Sequence, residues 1–260
     1  MAVDEALLLS VEKGSSPPTL RFFAWDAPSL SIGSFQKAEE LDLNALSARG
    51  VPLVRRPTGG RAVLHDAELT YSVACPIPSV FFPSDLMGSY KKIGACFLAG
   101  LKGVGLEAAL VPVDREACTR RGRSHNPLCF SSPSWYEVLA GGKKLIGSAQ
   151  RRLRGAFLQQ GSLLIGLDVE GLVSLMRYGS EADREAARAA LVSKMTALNE
   201  HQSGVDIERL KGALVEGFEM EMGVSIEPGS LTKEETALAK KLLREKYSRE
   251  EWILRRAMGA

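Results

Sequence analysis

Long apolar runs are missing from this chain: none approaches the ~20 residues that cross a bilayer. The start, Met1-Ala2-Val3-Asp4-Glu5, has neither the basic flank nor the apolar core of a cleavable leader. The expected location is therefore the cytoplasm, with no membrane contact. Cysteine is scarce and dispersed. Cys75, Cys96, Cys118 and Cys129 include no C-x-x-C pair and have no histidine at metal-ligand spacing, which speaks against a zinc site and against a disulfide framework. Charge of one sign is lacking too: 33 basic side chains face 31 acidic ones, and a net +2 gives nucleic acid no field to follow. Neither G-x-x-x-x-G-K-[ST] nor G-x-G-x-x-G occurs, so no familiar nucleotide fingerprint calls for a cofactor. No internal repeat or low-complexity tract is evident.

What is present suffices for one core, since 45% of the 260 residues are apolar and 25% charged. The most informative stretch is Arg55-Arg56-Pro57-Thr58-Gly59-Gly60-Arg61-Ala62-Val63-Leu64-His65-Asp66. A short apolar run, Val51 to Val54, precedes it. After the glycines, Arg61 to His65 alternates, setting Ala62 and Leu64 on one face against Arg61, Val63 and His65 on the other. Pro57 fixes its own φ and biases Arg56 toward extended backbone, whereas Gly59-Gly60 removes the Cβ atoms that keep a ligand from the main chain. A Gly-Gly hairpin with solvated arginines is the other reading of the same residues. The whole run resembles the R-R-x-[ST]-G-G-x-A-V-x-H-D signature of the lipoate-protein ligase, octanoyltransferase and biotin ligase superfamily, whose loop covers the acyl chain of the ligand. The resemblance implies ligand contacts from Arg55, Arg56, Thr58, Gly59, Gly60, Val63 and His65.

Around this loop, periodicity predicts helices at Ala2 to Val11, Leu41 to Arg49, Tyr90 to Leu106, Val169 to Tyr178, Glu181 to Val192 and Ile207 to Met222. An amphipathic helix pair follows from Lys233 to Met258. Strands are expected at Thr19 to Trp25, Leu30 to Phe35, Tyr71 to Cys75, Lys143 to Arg152 and Ala156 to Gln160. Cys75 and Cys96 fall on the packed sides of their elements and read as core. Asp114 to Pro127 has little apolar content and carries four arginines in nine positions, which reads either as a solvated surface loop or as a docking edge for an acidic partner.

That loop leads into Pro127-Leu128-Cys129-Phe130-Ser131-Ser132-Pro133-Ser134-Trp135-Tyr136-Glu137-Val138. Two prolines, aromatic residues and small hydroxyl side chains restrain the segment around Cys129, as a positioned nucleophile requires. The run resembles the acyl-thioester loop of Gram-positive-type octanoyltransferases, which lipoate ligases generally lack. It implies that Cys129 carries the acyl group; Cys118, among arginines, is the second candidate thiolate. Gly141-Gly142 then turns the chain into Lys143-Lys144-Leu145-Ile146-Gly147-Ser148-Ala149-Gln150, similar to the superfamily's G-[RK]-K-[LIV]-x-G-S-A. The match makes Lys144 the catalytic lysine, Lys143 its exposed neighbour, and Gly147, Ser148 and Ala149 ligand contacts. Period two sets Lys144, Ile146, Ser148 and Gln150 on one face, and an inward lysine needs work or a partner. Gln160-Gly161-Ser162-Leu163-Leu164 resembles [HQ]-H-G-[ST]-[IL]-L, which adds Gly161 and puts Gln160 where many relatives have His, leaving Lys144 as the base. Ser31 to Gln36, Lys194 to Leu198 and Lys246-Tyr247 with Trp252 resemble further family segments.

The resemblance implies an α/β (α+β) fold: a mixed, mainly antiparallel sheet covered by helices, forming a single lipoate-ligase-like catalytic domain over residues 1–228. Residues 229–260 form a C-terminal helical extension without an accessory domain, being fewer than the ~50 residues an independent domain needs. Relatives have a strand and loop before a segment like Met1 to Leu8, so the chain is expected to lack that edge strand or to begin at an internal start codon. The implied function is octanoyl transfer with no cofactor or metal. The Cys129 thiolate attacks an octanoyl thioester on acyl carrier protein, and a lysine of the glycine cleavage H protein, or of another lipoyl domain, takes the acyl group. Three alternatives stay open: ATP-dependent lipoate ligation, amidotransfer from H protein to dehydrogenase E2 domains, and a non-catalytic lipoate-binding protein.

Overall fold

The computed structural model describes residues 1–112 and 136–255. Its axis is β5 (Glu68–Pro76), buried along nearly its whole length. β5 lies between β1 (Thr19–Phe23) and β9 (Ala156–Leu164), and the sheet continues through β8 (Lys143–Arg152) and β7 (Tyr136–Ala140) to β6 (Ala109–Pro112). All pairings in this six-stranded sheet are antiparallel. A second sheet, ordered β3 (Leu53–Arg55), β2 (Ser29–Ile32), β4 (Val63–His65), contains a parallel pair, β2 with β3. The mixed, mainly antiparallel architecture is thus the one that the sequence implied.

Helices cover it in chain order: α1 (Ala2–Glu12), α2 (Leu43–Ala48), α3 (Leu86–Gly103), α4 (Val169–Ser174), α5 (Glu181–Lys194), α6 (Ile207–Met222), α7 (Lys233–Leu242) and α8 (Glu250–Arg255). Among the described residues none is long and apolar enough to cross a membrane. Alternation along β5 sorts two faces. Leu69, Tyr71, Val73 and Cys75 pack on Ile93, Cys96, Phe97 and Leu101 of α3, which is backed by Leu210, Leu214 and Phe218 of α6. Tyr71 and Phe97 rings sit 4.4 Å apart, and Phe97 meets Phe218 edge-on at 5.4 Å. On the opposite face Ala74 joins Leu7, Leu8 and Val11 of α1, while Glu68 and Thr70 form a polar end.

Local chemistry explains where the elements depart from the expected bounds. β5 begins at Glu68 rather than Tyr71, because Glu68 and Thr70 are buried with partners: His65 on the first, the Trp25 indole on the second. β2 stops at Ile32, where the Ser34 N–H leaves to donate to the Thr58 carbonyl at 2.8 Å. α3 and α2 start at Leu86 and Leu43, because Asp85 and Asp42 accept the free N–H groups of their first turns. The terminal pair is interrupted by a π turn over Leu243–Tyr247.

Candidate active site

The loop between β3 and β4 lies over the polar end of the large sheet. Gly60 has a φ of +90°, and a Cβ on Gly33 would stand 2.0 Å from the Gly60 carbonyl oxygen, so these two glycines let loop and β2 end meet backbone to backbone. The Thr58 hydroxyl donates to Gln160 Oε1 at 2.9 Å. Gln160 in turn donates to Asp4 at 2.7 Å, and Asp4 pairs with Arg21 at 2.7 Å. Gln160 therefore ties loop, sheet and α1 together. Arg56 holds the turn from inside, donating to the carbonyls of Ser31, Gly59 and Arg61 and to the Ser31 hydroxyl. Between loop and sheet is a narrow cleft bounded by Arg56, Val63 and His65 on one side and by Gly147, Ser148, Ala149 and Gly161 on the other. Gly161 is required by packing: a Cβ there would lie 2.3 Å from the Tyr71 ring, whose hydroxyl bonds Ser148 at 2.7 Å.

Thr58, Gly59 and Gly60 shape the loop instead of lining the cavity. Arg55, also an expected ligand contact, is not among the described residues that line this cleft. Its side chain is 1% exposed and donates to the main-chain carbonyls of Gly33, Gln36, Trp252, Ile253 and Leu254. It is a fastener for α8: a rigid cationic fork suits the free carbonyls at a helix C-terminus.

Lys144 departs from strict alternation. Val138 opposes Ile146 but Leu139 opposes Lys144, so β8 carries a bulge at Leu145. Leu145 joins Ile146 in the main core, and Lys144 is re-aimed to the face shared by Gly147 and Ala149. There its Nζ lies 2.6 Å from Glu137 Oε1, with the lysine side chain 4% exposed. Lys143 is half-buried and donates to the Val192 carbonyl at 3.0 Å.

One constellation escaped the sequence reading. His65 Nδ1 donates to Glu68 Oε1 at 2.6 Å, and His65 Nε2 lies 2.5 Å from the Ser31 hydroxyl, giving a buried Ser31–His65–Glu68 chain. Trp25 stacks on the imidazole at 4.2 Å. The signal was present as H-x-x-E across a turn, followed by alternating Glu68, Thr70 and Ser72, which marks a polar sheet face. Glu137 was quoted only as part of the cysteine segment. Cys75 and Cys96 are core residues, as expected, and burial pushes their thiols up to about 11 and about 12. Cys118, Cys129 and the loop from Asp114 to Pro127 lie outside the described residues.

Comparison with known proteins matches residues 1–219 to the lipoyl protein ligase A/B catalytic domain. The chain belongs to that family. An octanoyltransferase LipM from Kyrpidia tusciae is 45% identical over 98% of this chain and 94% of its own, and one from Geobacillus kaustophilus 44% over 98% and 93%. Among solved structures, the bi-partite lipoate protein ligase of Thermoplasma acidophilum superposes with a TM-score of 0.82 at 26% identity, covering 100% of this chain and 92% of that one. A lipoate-protein ligase A bound with ATP gives 0.76 at 29%, covering 97% and 92%.

The lipoyl ligase-type domain is closed by the segments that follow residue 219. Glu5 of α1 accepts Lys246 Nζ at 2.6 Å and the Tyr247 hydroxyl at 2.6 Å, with Arg151 at 2.6 Å on its other oxygen, and Lys246 also lies over the Trp252 ring. Burial alone would raise the Glu5 carboxyl, but the hydrogen bonds from Lys246 and Tyr247 outweigh it and hold the group below its ordinary 4.5. A depressed carboxylate stabilises the fold above its unfolded pKa and loses that contribution as pH falls through the folded value. Melting temperature is thus expected to drop below about pH 4.5, whereas Glu5→Gln starts lower at neutral pH and responds less to acid. Lys246→Met removes one of the three partners of Glu5 and is expected to cost about 1.5–3 kcal/mol in denaturant unfolding. A neutral-pH stability equal to the parent's in both variants would show that the C-terminal contacts are not coupled to the domain.

Proposed function

We propose that the protein moves octanoyl groups from octanoyl-acyl carrier protein to a lysine of the glycine cleavage H protein in lipoate biosynthesis, through a thioester on Cys129. The observation that carries this reading is the match to octanoyltransferases at 37–45% identity over 98% of the chain. In the first step the Cys129 thiolate attacks the octanoyl carbonyl and the carrier's thiol departs. In the second, the acceptor's ε-amine attacks the new thioester, Cys129 leaves as thiolate, and the amine's proton passes to a base. Lys144 is suited to both steps. As an ammonium it favours the thiolate, and as an amine it takes the proton. Its pairing with Glu137 at 2.6 Å supports the role by fixing a buried lysine on the ligand face. Thioester exchange is near balance and amide formation is downhill, so no nucleotide is needed.

The purified protein, octanoyl carrier protein and apo H protein, without ATP or Mg²⁺, are expected to give octanoyl-lysine, whereas free octanoate or lipoate with ATP gives little. The ligase structures at TM-scores of 0.76 and 0.82 favour a second reading, ATP-dependent lipoate ligation on the same scaffold. Robust lipoylation from free lipoate and ATP would decide for it.

A further inference from the structure

On the face beneath the loop, side chains cross the large sheet in rows. β5, β9 and β8 align Thr70, Ser162 and Gly147 in one row, Ser72, Gln160 and Ala149 in the next, and Ala74, Leu158 and Arg151 in a third. Members of the first two rows line the acyl cleft, Gln160 and Ala149 among them. The third row is covered, with Ala74 and Leu158 packed under Leu7, Leu8 and Val11 of α1. The cleft is therefore closed by α1 at the row of Gln160. Lys144 stands at the other end, because it precedes Gly147 along β8. From Lys144 to Ala149 the strand advances roughly 15 Å at ~3.3 Å per residue. That span takes a medium-length acyl chain laid along the strand, with its thioester carbonyl within reach of the lysine side chain.

Gln160, at the closed end, is held from two sides. Its side chain is 3% exposed. Nε2 donates to Asp4 Oδ2 at 2.7 Å and faces Met1 Sδ at 3.4 Å, while Oε1 accepts the Thr58 hydroxyl at 2.9 Å. Asp4 is fully buried, and its other oxygen takes Arg21 at 2.7 Å and the Ser72 hydroxyl at 2.8 Å. These partners leave the amide one orientation, nitrogen to Asp4 and oxygen to Thr58. With both ends engaged, it presents hydrocarbon with no free donor or acceptor. A chain two methylenes longer has to push the amide off Asp4, which strands a buried carboxylate oxygen.

We propose that Gln160 is the end wall of the acyl cleft and sets the longest chain the protein accepts, with Asp4 of α1 and Thr58 of the loop positioning it. The assignment rests on the octanoyltransferase reading, which puts the acyl carbonyl at the Lys144 end. Ala149, opposite Gln160 in the same row, is a second residue placed to limit length.

Two measurements test it. In the first, the enzyme is loaded from an equimolar mixture of hexanoyl, octanoyl, decanoyl and dodecanoyl carrier proteins and read by intact mass, so that each variant reports a ratio of lengths. The parent is expected to favour octanoyl over decanoyl at least tenfold, the scale on which an apolar pocket senses a methylene or two. Gln160→Ala raises the decanoyl-to-octanoyl ratio tenfold or more, and Ala149→Leu shifts the preference toward hexanoyl. Gln160→Glu sets two carboxylates against each other and also raises the decanoyl share; adding Asp4→Asn supplies a donor between them and restores the preference for octanoyl. A Gln160→Ala ratio equal to the parent's, with all lengths falling together, would make the residue a prop for the loop and overturn the proposal. A folded double variant that keeps the longer profile would do the same. In the second measurement, free octanoate and decanoate are titrated into the full-length protein and followed at the Gly147 and Gly161 amides by NMR. Decanoate is expected to gain at least tenfold on octanoate in Gln160→Ala. Failure of loading with that gain intact would count against the transferase reading alone, whereas relative binding unchanged by Gln160→Ala, or no binding at those amides, would overturn the end wall.

Discussion

Cys129→Ala is expected to abolish transfer, by 10³-fold or more, since loss of a covalent nucleophile removes the route and not merely one contact along it. The parent enzyme, mixed with octanoyl carrier protein and no acceptor, accumulates one octanoyl group on the peptide containing Cys129, labile to hydroxylamine. Elimination among the thiols supports the choice. Cys75 and Cys96 are fully buried with thiols pushed up to about 11 and about 12, so neither ionises usefully at neutral pH nor meets a protein-bound substrate. Cys118 and Cys129 are left, and the proline and aromatic sequence neighbours belong to Cys129. An adduct confined to Cys118 would move the nucleophile. ATP-dependent lipoylation that survives in Cys129→Ala would sink the transferase reading altogether, because adenylate chemistry needs no cysteine.

The sequence carried the frame of this site further than its wiring. Element types were legible where apolar spacing was unambiguous, as in α3 and α6, whose buried residues recur at helical intervals. The loop, the Lys144 strand and the Gly161 strand were legible because their motifs are short and contiguous. The fastening role of Arg55 was hidden for a physical reason. An arginine beside a binding loop looks like a ligand contact until a helix almost two hundred residues away supplies the carbonyls that it caps. Glu68 was missed because a glutamate at the start of a strand resembles a solvated turn residue; only the fold buries it against His65. The bulge at Leu145 is likewise invisible locally, since a register slip depends on the partner strand and not on the strand's own pattern.

That bulge gives the Lys144 prediction its structural content. With strict alternation Lys144 would share a face with Ile146, inside the apolar core, where an ammonium has no partner and costs several kcal/mol. The extra residue turns it to the face of Gly147 and Ala149 and toward Glu137, so its position is determined by backbone register, not by a flexible reach. Lys144→Ala is expected to slow both loading and transfer by about 10²-fold or more, the range typical of a lost general acid or base. Lys143→Ala is expected to do little, because Lys143 donates to the Val192 carbonyl at the surface. Glu137→Gln separates charge from proton transfer. If Glu137 serves to hold the lysine in place beside the thiolate, loading suffers more than transfer. The opposite partition, with transfer hit harder than loading, would show Lys144 working as the base for the incoming amine alone. Equal losses from Lys143→Ala and Lys144→Ala would mean that both act only through their charge on the partner protein, and the buried lysine would lose its assigned role.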